Sequence, residues 1–99
     1  MIQKVLITCK NKTAAKKLRK HLIKLGIDWI TKNYDSDIHS EEDWMARWDV
    51  NGSRTVYCIN DMGALYFGSY SLYYELYYKS IYKKYTSYTV DEFIKKYPI

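Results

Sequence analysis

Between Ala14 and Leu25 the apolar residues Ala14, Leu18, Leu22 and Leu25 return at steps of four, four and three, the interval that stacks side chains on one face of an α-helix. Lys12, Lys16, Lys17, Arg19, Lys20 and Lys24 fill the opposite half, interrupted only by Thr13 and Ile23, so the spacing predicts an amphipathic helix with a cationic outer side. Asn11 or Thr13 can cap its start, and Gly26 suits the left-handed residue that ends it. The alternation after the stop predicts a strand over 27–32 that carries Trp29 inward. Residues 1–9 predict another strand, apolar on both sides and therefore central in its sheet. The two strands and the intervening helix suggest a β-α-β opening, with the strands as parallel neighbours through a right-handed crossover.

Further along, Ser40-Glu41-Glu42-Asp43 has the pattern of a helix start rich in acids, and Trp44 and Trp48 lie four apart. Residues 45–50 also alternate, and Asn51-Gly52 is a strong hairpin signal, so a short helix followed by a strand entering a turn is the expectation here. Residues 54–60 read as a strand, Asn60-Asp61-Met62-Gly63 as a turn, and 64–67 as the returning strand. A helix rich in tyrosine is expected from about residue 70, with a strand over 85–88. Thr89-Val90-Asp91-Glu92 matches a capping box that opens a terminal helix, stopped by Pro98. Together these elements predict one α+β domain over residues 1–99: a small mixed sheet, extended by hairpins, with helices on at least one face.

Charge adds a second pattern. The net charge of +5 is segregated: residues 1–34 carry nine Lys or Arg against Asp28 alone, and residues 35–51 carry six acids against Arg47 alone. Such a dipolar chain can present a nucleic-acid face, fold its acidic segment back on the basic helix, or pair the two between copies. Lys12, Lys16, Arg19, Lys20 and Lys24 are the candidate nucleic-acid contacts, since lysines along one helical side can neutralise successive phosphates. An exposed helix also needs charge for solubility, and no zinc-finger, RNP or helix-turn-helix pattern accompanies these residues.

Aromatic residues supply the other candidate surface. Eight of the twelve tyrosines fall between Tyr70 and Tyr88. Tyrosine offers large contact area for little lost rotamer freedom, so Tyr70, Tyr73, Tyr74, Tyr77 and Tyr78, with Trp44 and Trp48, are the candidate protein-binding residues, at a partner site or a homodimer seam. The competing expectation is that half of these rings pack on the sheet with their hydroxyls toward water. A third is that aromatic and basic residues together sequester a nucleotide signal, the rings stacking the base and Lys or Arg neutralising the phosphates.

Catalytic and metal chemistry find little support. Cys9, Cys58, His21 and His39 could supply four zinc ligands by number, but no pair has the close spacing of a metal knuckle, and no motif flanks a Cys–His nucleophile pair. The acids Asp35, Asp37, Glu41, Glu42 and Asp43 lack the glycine and rhythm of a calcium loop. No phosphate-binding glycine loop is present. We therefore expect a non-enzymatic protein without cofactor or metal. No apolar run is long enough to span a bilayer, the N-terminus is too quickly charged for a signal peptide, and two isolated cysteines suit a reducing, cytoplasmic compartment.

The run KVLITCKNKTAAKKLRKHLIKLGIDWI, the strand pair around TVYCINDMGALYFGS and the closing YTVDEFIKKY resemble a group of small bacteriophage and prophage proteins. The shared pattern is a strand, a helix ending in Leu-Gly-x-x-Trp, a hairpin and a terminal Thr/Ser-x-x-Glu-Phe helix. The resemblance implies a viral accessory protein of the host cytoplasm that binds and blocks a bacterial host factor or defence component. It implies no catalytic residue. The acidic segment and the tyrosine-rich stretch depart from the pattern, which places any specialised role there.

Overall fold

The computed structural model of the protein describes residues 1–28, 38–69 and 85–99. In chain order these form β1 (Val5–Thr8), α1 (Lys12–Lys24), α2 (Glu41–Asn51), a 3-10 turn (Gly52–Arg54), β2 (Thr55–Ile59), β3 (Leu65–Ser69), β4 (Thr86–Thr89) and α3 (Val90–Lys96). The strands lie in the order β3-β2-β1-β4. β2 is antiparallel to both β1 and β3, whereas β1 and β4 are parallel, so the sheet is mixed. The three helices pack against it, giving the small α+β architecture that the pattern predicts.

β1 is internal, as its two-sided apolar composition requires. Its parallel neighbour differs from the expectation: both edges of β1 are taken, by β2 and by β4 from the far end of the chain, and not by a strand over 27–32. Ile27 and Asp28 lie outside any strand, and residues 29–32 lie outside the described residues. The Leu65 amide donates to the Asp28 carbonyl at 2.9 Å, which takes the chain leaving α1 to the β3 edge, opposite β4.

Ser40 caps α2 through a bond from the Asp43 amide to its hydroxyl (3.2 Å), and Glu41, Glu42 and Asp43 fill the first turn, where the helix dipole favours acids. The helix runs on to Asn51, so the strand expected at 45–50 is helical and Asn51-Gly52 turns no hairpin. Alternation and four-residue spacing both put Trp44 and Trp48 on one side; the cap and the acids select the helix. Gly52 ends it at a φ of +56° that side chains rarely adopt, its amide donating to the Trp48 carbonyl. The β2–β3 hairpin follows the expected turn, with the Asn60 side-chain oxygen accepting from the Met62 and Ala64 amides, each at 2.9 Å.

One core lies between the helices and the sheet. Ala15, Leu18 and Leu22 of α1, Trp44 and Trp48 of α2, Val90 and Phe93 of α3, and Val5, Ile7, Tyr57, Ile59 and Leu65 of the sheet are buried together. The buried face of α1 is turned from the predicted one: Leu18 and Leu22 are fully enclosed, Ala15 and His21 join them, and Ala14 and Leu25 are half-buried. Both flanking helices widen the buried arc: Ala15 meets Trp44 of α2, and His21 meets Phe93 of α3. Trp44 joins three elements, lying flat on Tyr57 (ring centroids 4.4 Å, 8° between planes) and donating from Nε1 to the Ala15 carbonyl at 2.9 Å. All five residues of β2 are buried, including Val56 and Cys58 on the face away from the helices.

α3 begins with a complete capping box: the Glu92 amide donates to the Thr89 hydroxyl (3.2 Å), and the Thr89 amide to the Glu92 carboxylate (2.9 Å). Thr89→Ala removes one half and should cost about 1 kcal/mol in a urea unfolding curve. A change under about 0.3 kcal/mol would show that the box contributes nothing to global stability.

Candidate functional site

The cationic side of α1 is where sequence and charge converge, and its neighbours decide what it can do. α1 lies between α2, which presents two carboxylates to it, and α3, which presents one. α2 runs antiparallel, so that Lys12 meets Asp49 (3.8 Å) and Lys16 meets Glu41 (3.7 Å). α3 runs parallel on the other side, where Lys17 Nζ bonds Asp91 Oδ1 at 2.9 Å. Arg19 donates to the Ile38 carbonyl from Nε (2.8 Å) and to the His39 carbonyl from Nη2, tying the chain ahead of α2 to the helix. Folding the acidic segment back on the basic helix is thus the arrangement present within one molecule. These half-exposed pairs contribute little stability each. Their consequence is spatial, because the positive charge of the first half of α1 is cancelled where it arises.

The carboxyl of Asp91 is held below its ordinary 3.8, first by the hydrogen bond from Lys17, then by that ammonium's charge and, more weakly, by Lys10. Glu92 is held below its ordinary 4.5 by the amide and then the hydroxyl of Thr89. Both folded-state values lie below the unfolded ones, so the stability they lend is complete above about pH 5 and is lost as pH falls through the folded values. Melting temperature should therefore drop more steeply below about pH 4.5 in the natural protein than in Asp91→Asn/Glu92→Gln, and parallel curves would refute the assignment.

His21 and the two cysteines are employed in packing, whereas His39 is exposed. His21 is buried, with its ring edge against Phe93 (5.9 Å) and Nε2 2.7 Å from the Tyr97 carbonyl. A carbonyl only accepts, so Nε2 carries a proton and donates. Val5, Ile7 and Cys9 face the helices, whereas Cys58, opposite Leu6 in the ladder, faces the other way, so the two thiols sit on opposite faces of the sheet. They cannot share one metal or form one disulfide. Burial pushes both thiols up to about 12, against which a bond with Tyr66 works at Cys58. They stay protonated at neutral pH and should resist an alkylating reagent in the native protein, both reacting in denaturant. Rapid native labelling of either would contradict this burial.

Trp44 and Trp48, expected at a binding surface, belong to the core and are unavailable to a partner. Tyr70, Tyr73, Tyr74, Tyr77 and Tyr78 lie outside the described residues. Of the basic candidates, Lys12 and Lys16 face carboxylates and Arg19 holds carbonyls, whereas Lys20 and Lys24 are exposed, with no carboxylate partner among the described residues. A cleft of about 310 Å³ opens at the carboxyl ends of the parallel strands β1 and β4, lined by Thr8, Cys9, Lys10, Ser53, Thr89 and Asp91 among others. Its two charges are opposite. Among the described residues, no three His, Cys, Asp or Glu side chains are grouped to hold a metal, and no helix is long and apolar enough to cross a membrane.

No family model, curated protein or solved structure matches the chain.

Sequence reasoning missed Asp91. It stands 74 residues from the lysine it pairs with. The capping box placed α3 correctly, but nothing local shows that α3 lies alongside α1.

Proposed function

We propose that this is a non-enzymatic accessory protein of phage type that binds and blocks a bacterial host or defence protein in the host cytoplasm. The observation that carries this reading is how the described residues spend their own chemistry. Both thiols are buried and protonated, His21 is bonded to a main-chain carbonyl, and three of the lysines of α1 face carboxylates of the same molecule. Groups used in this way hold a scaffold together and leave no convergent set of tuned acids, bases or nucleophiles among the described residues. What the chain has in excess is tyrosine, in a stretch whose composition fits a contact surface. Steric occlusion of the target is the mechanism such a surface allows.

The resemblance to phage and prophage proteins supplies the biological setting. A nucleic-acid reading that uses the whole basic face, Lys12 through Lys24, draws less support, because half of that face is neutralised internally.

The test is capture from bacterial lysate with the natural protein and with Tyr73→Ser/Tyr74→Ser/Tyr77→Ser/Tyr78→Ser, after circular dichroism shows the variant folded. A protein retained by the first and lost by the second is expected. Identical capture by both would overturn the role of the tyrosines.

A further inference from the structure

We propose that the adjoining C-terminal ends of α1 and α3 form a four-lysine surface that binds the phosphate backbone of a nucleic-acid duplex without regard to sequence. Two contacts fix the alignment of the helices. Lys17 meets Asp91 in the first turn of α3, and His21 meets the Tyr97 carbonyl just beyond its last turn. The helices therefore run side by side in one direction and end together. Lys20 and Lys24 belong to the last two turns of α1, and Lys95 and Lys96 close α3. All four are exposed, and none has a carboxylate partner among the described residues.

The contrast with the other end is what points to a ligand. Towards the helix starts, Asp49, Glu41 and Asp91 neutralise Lys12, Lys16 and Lys17. Asp28, the described acid just past α1, sits where its carbonyl meets β3, the far edge of the sheet from β4 and α3. The lysines at this end, on two elements that come from opposite ends of the sequence, thus meet no carboxylate in an ion pair among the described residues. Lysines also complement the dipole at a helix C-terminus, which would account for their presence without any ligand. That effect predicts a small change in stability on substitution and no binding, so the two separate experimentally.

Lysine suits a phosphate backbone as a mobile point charge, and without arginine forks or a groove-filling element the surface has nothing with which to read bases. Four contacts give a slope of about −3.6 for log affinity against log salt, so that a fourfold rise in salt costs about 150-fold.

The experiment measures fluorescence anisotropy of a labelled DNA duplex of arbitrary sequence against the full chain, with two variants that each remove four of the same sixteen basic charges. Lys20→Gln/Lys24→Gln/Lys95→Gln/Lys96→Gln should bind at least tenfold more weakly and lose most of the salt slope. Lys10→Gln/Lys12→Gln/Lys16→Gln/Arg54→Gln, equal in net charge and leaving the Lys17–Asp91 contact in place, should stay within about threefold of the natural protein. Replacing the first four lysines by arginine should keep the affinity. Equal weakening of the two glutamine variants would mean attraction to overall charge alone and would overturn the proposal, as would no binding at about 50 mM salt. Neither result bears on the tyrosine-dependent capture described above.

Discussion

Trp44→Ala should cost about 3–5 kcal/mol, the range for emptying a buried tryptophan site and a large share of the roughly 5–15 kcal/mol available to a domain of this size. The indole is fully enclosed, lies flat on Tyr57 and donates to the Ala15 carbonyl, so its removal loosens α2, β2 and α1 at once. Trp44→Phe should cost less, keeping a ring on Tyr57 while losing the hydrogen bond. Trp48 offers a control inside the same helix, because its buried Nε1 has no hydrogen-bond partner among the described residues. Trp48→Phe should accordingly cost less than Trp44→Phe in urea unfolding followed by circular dichroism. The reverse order would show that the bond to Ala15 does not contribute as described.

Phe93→Ala is the second large effect, again about 3–5 kcal/mol. Phe93 is the fully buried anchor of α3, in ring contact with His21, Tyr88 and Tyr97. Without it α3 keeps its capping box but loses its seat on α1. Hydrogen exchange should show the amides of α3 losing protection before those of β1 and β2, since β4 and α3 are the last elements added at one edge of the sheet. Uniform loss across all elements would mean that α3 is no separate unit, and a cost below about 1 kcal/mol would mean that Phe93 is no anchor.

The parts of this fold that could be read in the sequence are those whose causes are local. Leucines at helical spacing, a glycine stop, a turn built on Asn60 and a Thr-x-x-Glu box each act within a few residues, and the structure has all of them. Segment 45–50 was ambiguous because the two tryptophans satisfy both periodicities, and a cap five residues upstream settles it. The parallel partner of β1 was not legible, because pairing the first strand with the last rests on long-range burial rather than on any signal near residue 27 or residue 86.

The same divide runs through the candidate site. That α1 is basic was plain; that α2 and α3 bring carboxylates to Lys12, Lys16 and Lys17 depends on two helix contacts that no local pattern contains. Trp44 and Trp48 show the opposite error. Their size and rarity suggest a contact surface, but four-residue spacing on a short amphipathic helix is also what a core needs, and the core has them.

Carbodiimide cross-linking followed by peptide mass spectrometry reads the pairing of α1 with its acidic neighbours, since it joins amines to carboxylates already in contact. An equal mixture of unlabelled and nitrogen-15-labelled protein distinguishes links within one molecule from links between two. Lys17–Asp91, at 2.9 Å, should dominate, with Lys16–Glu41 and Lys12–Asp49 weaker and all three within single molecules. Links of Lys12, Lys16 or Lys17 found mainly between labelled and unlabelled chains, or none to α2 and α3, would contradict a basic helix neutralised by its own acidic neighbours.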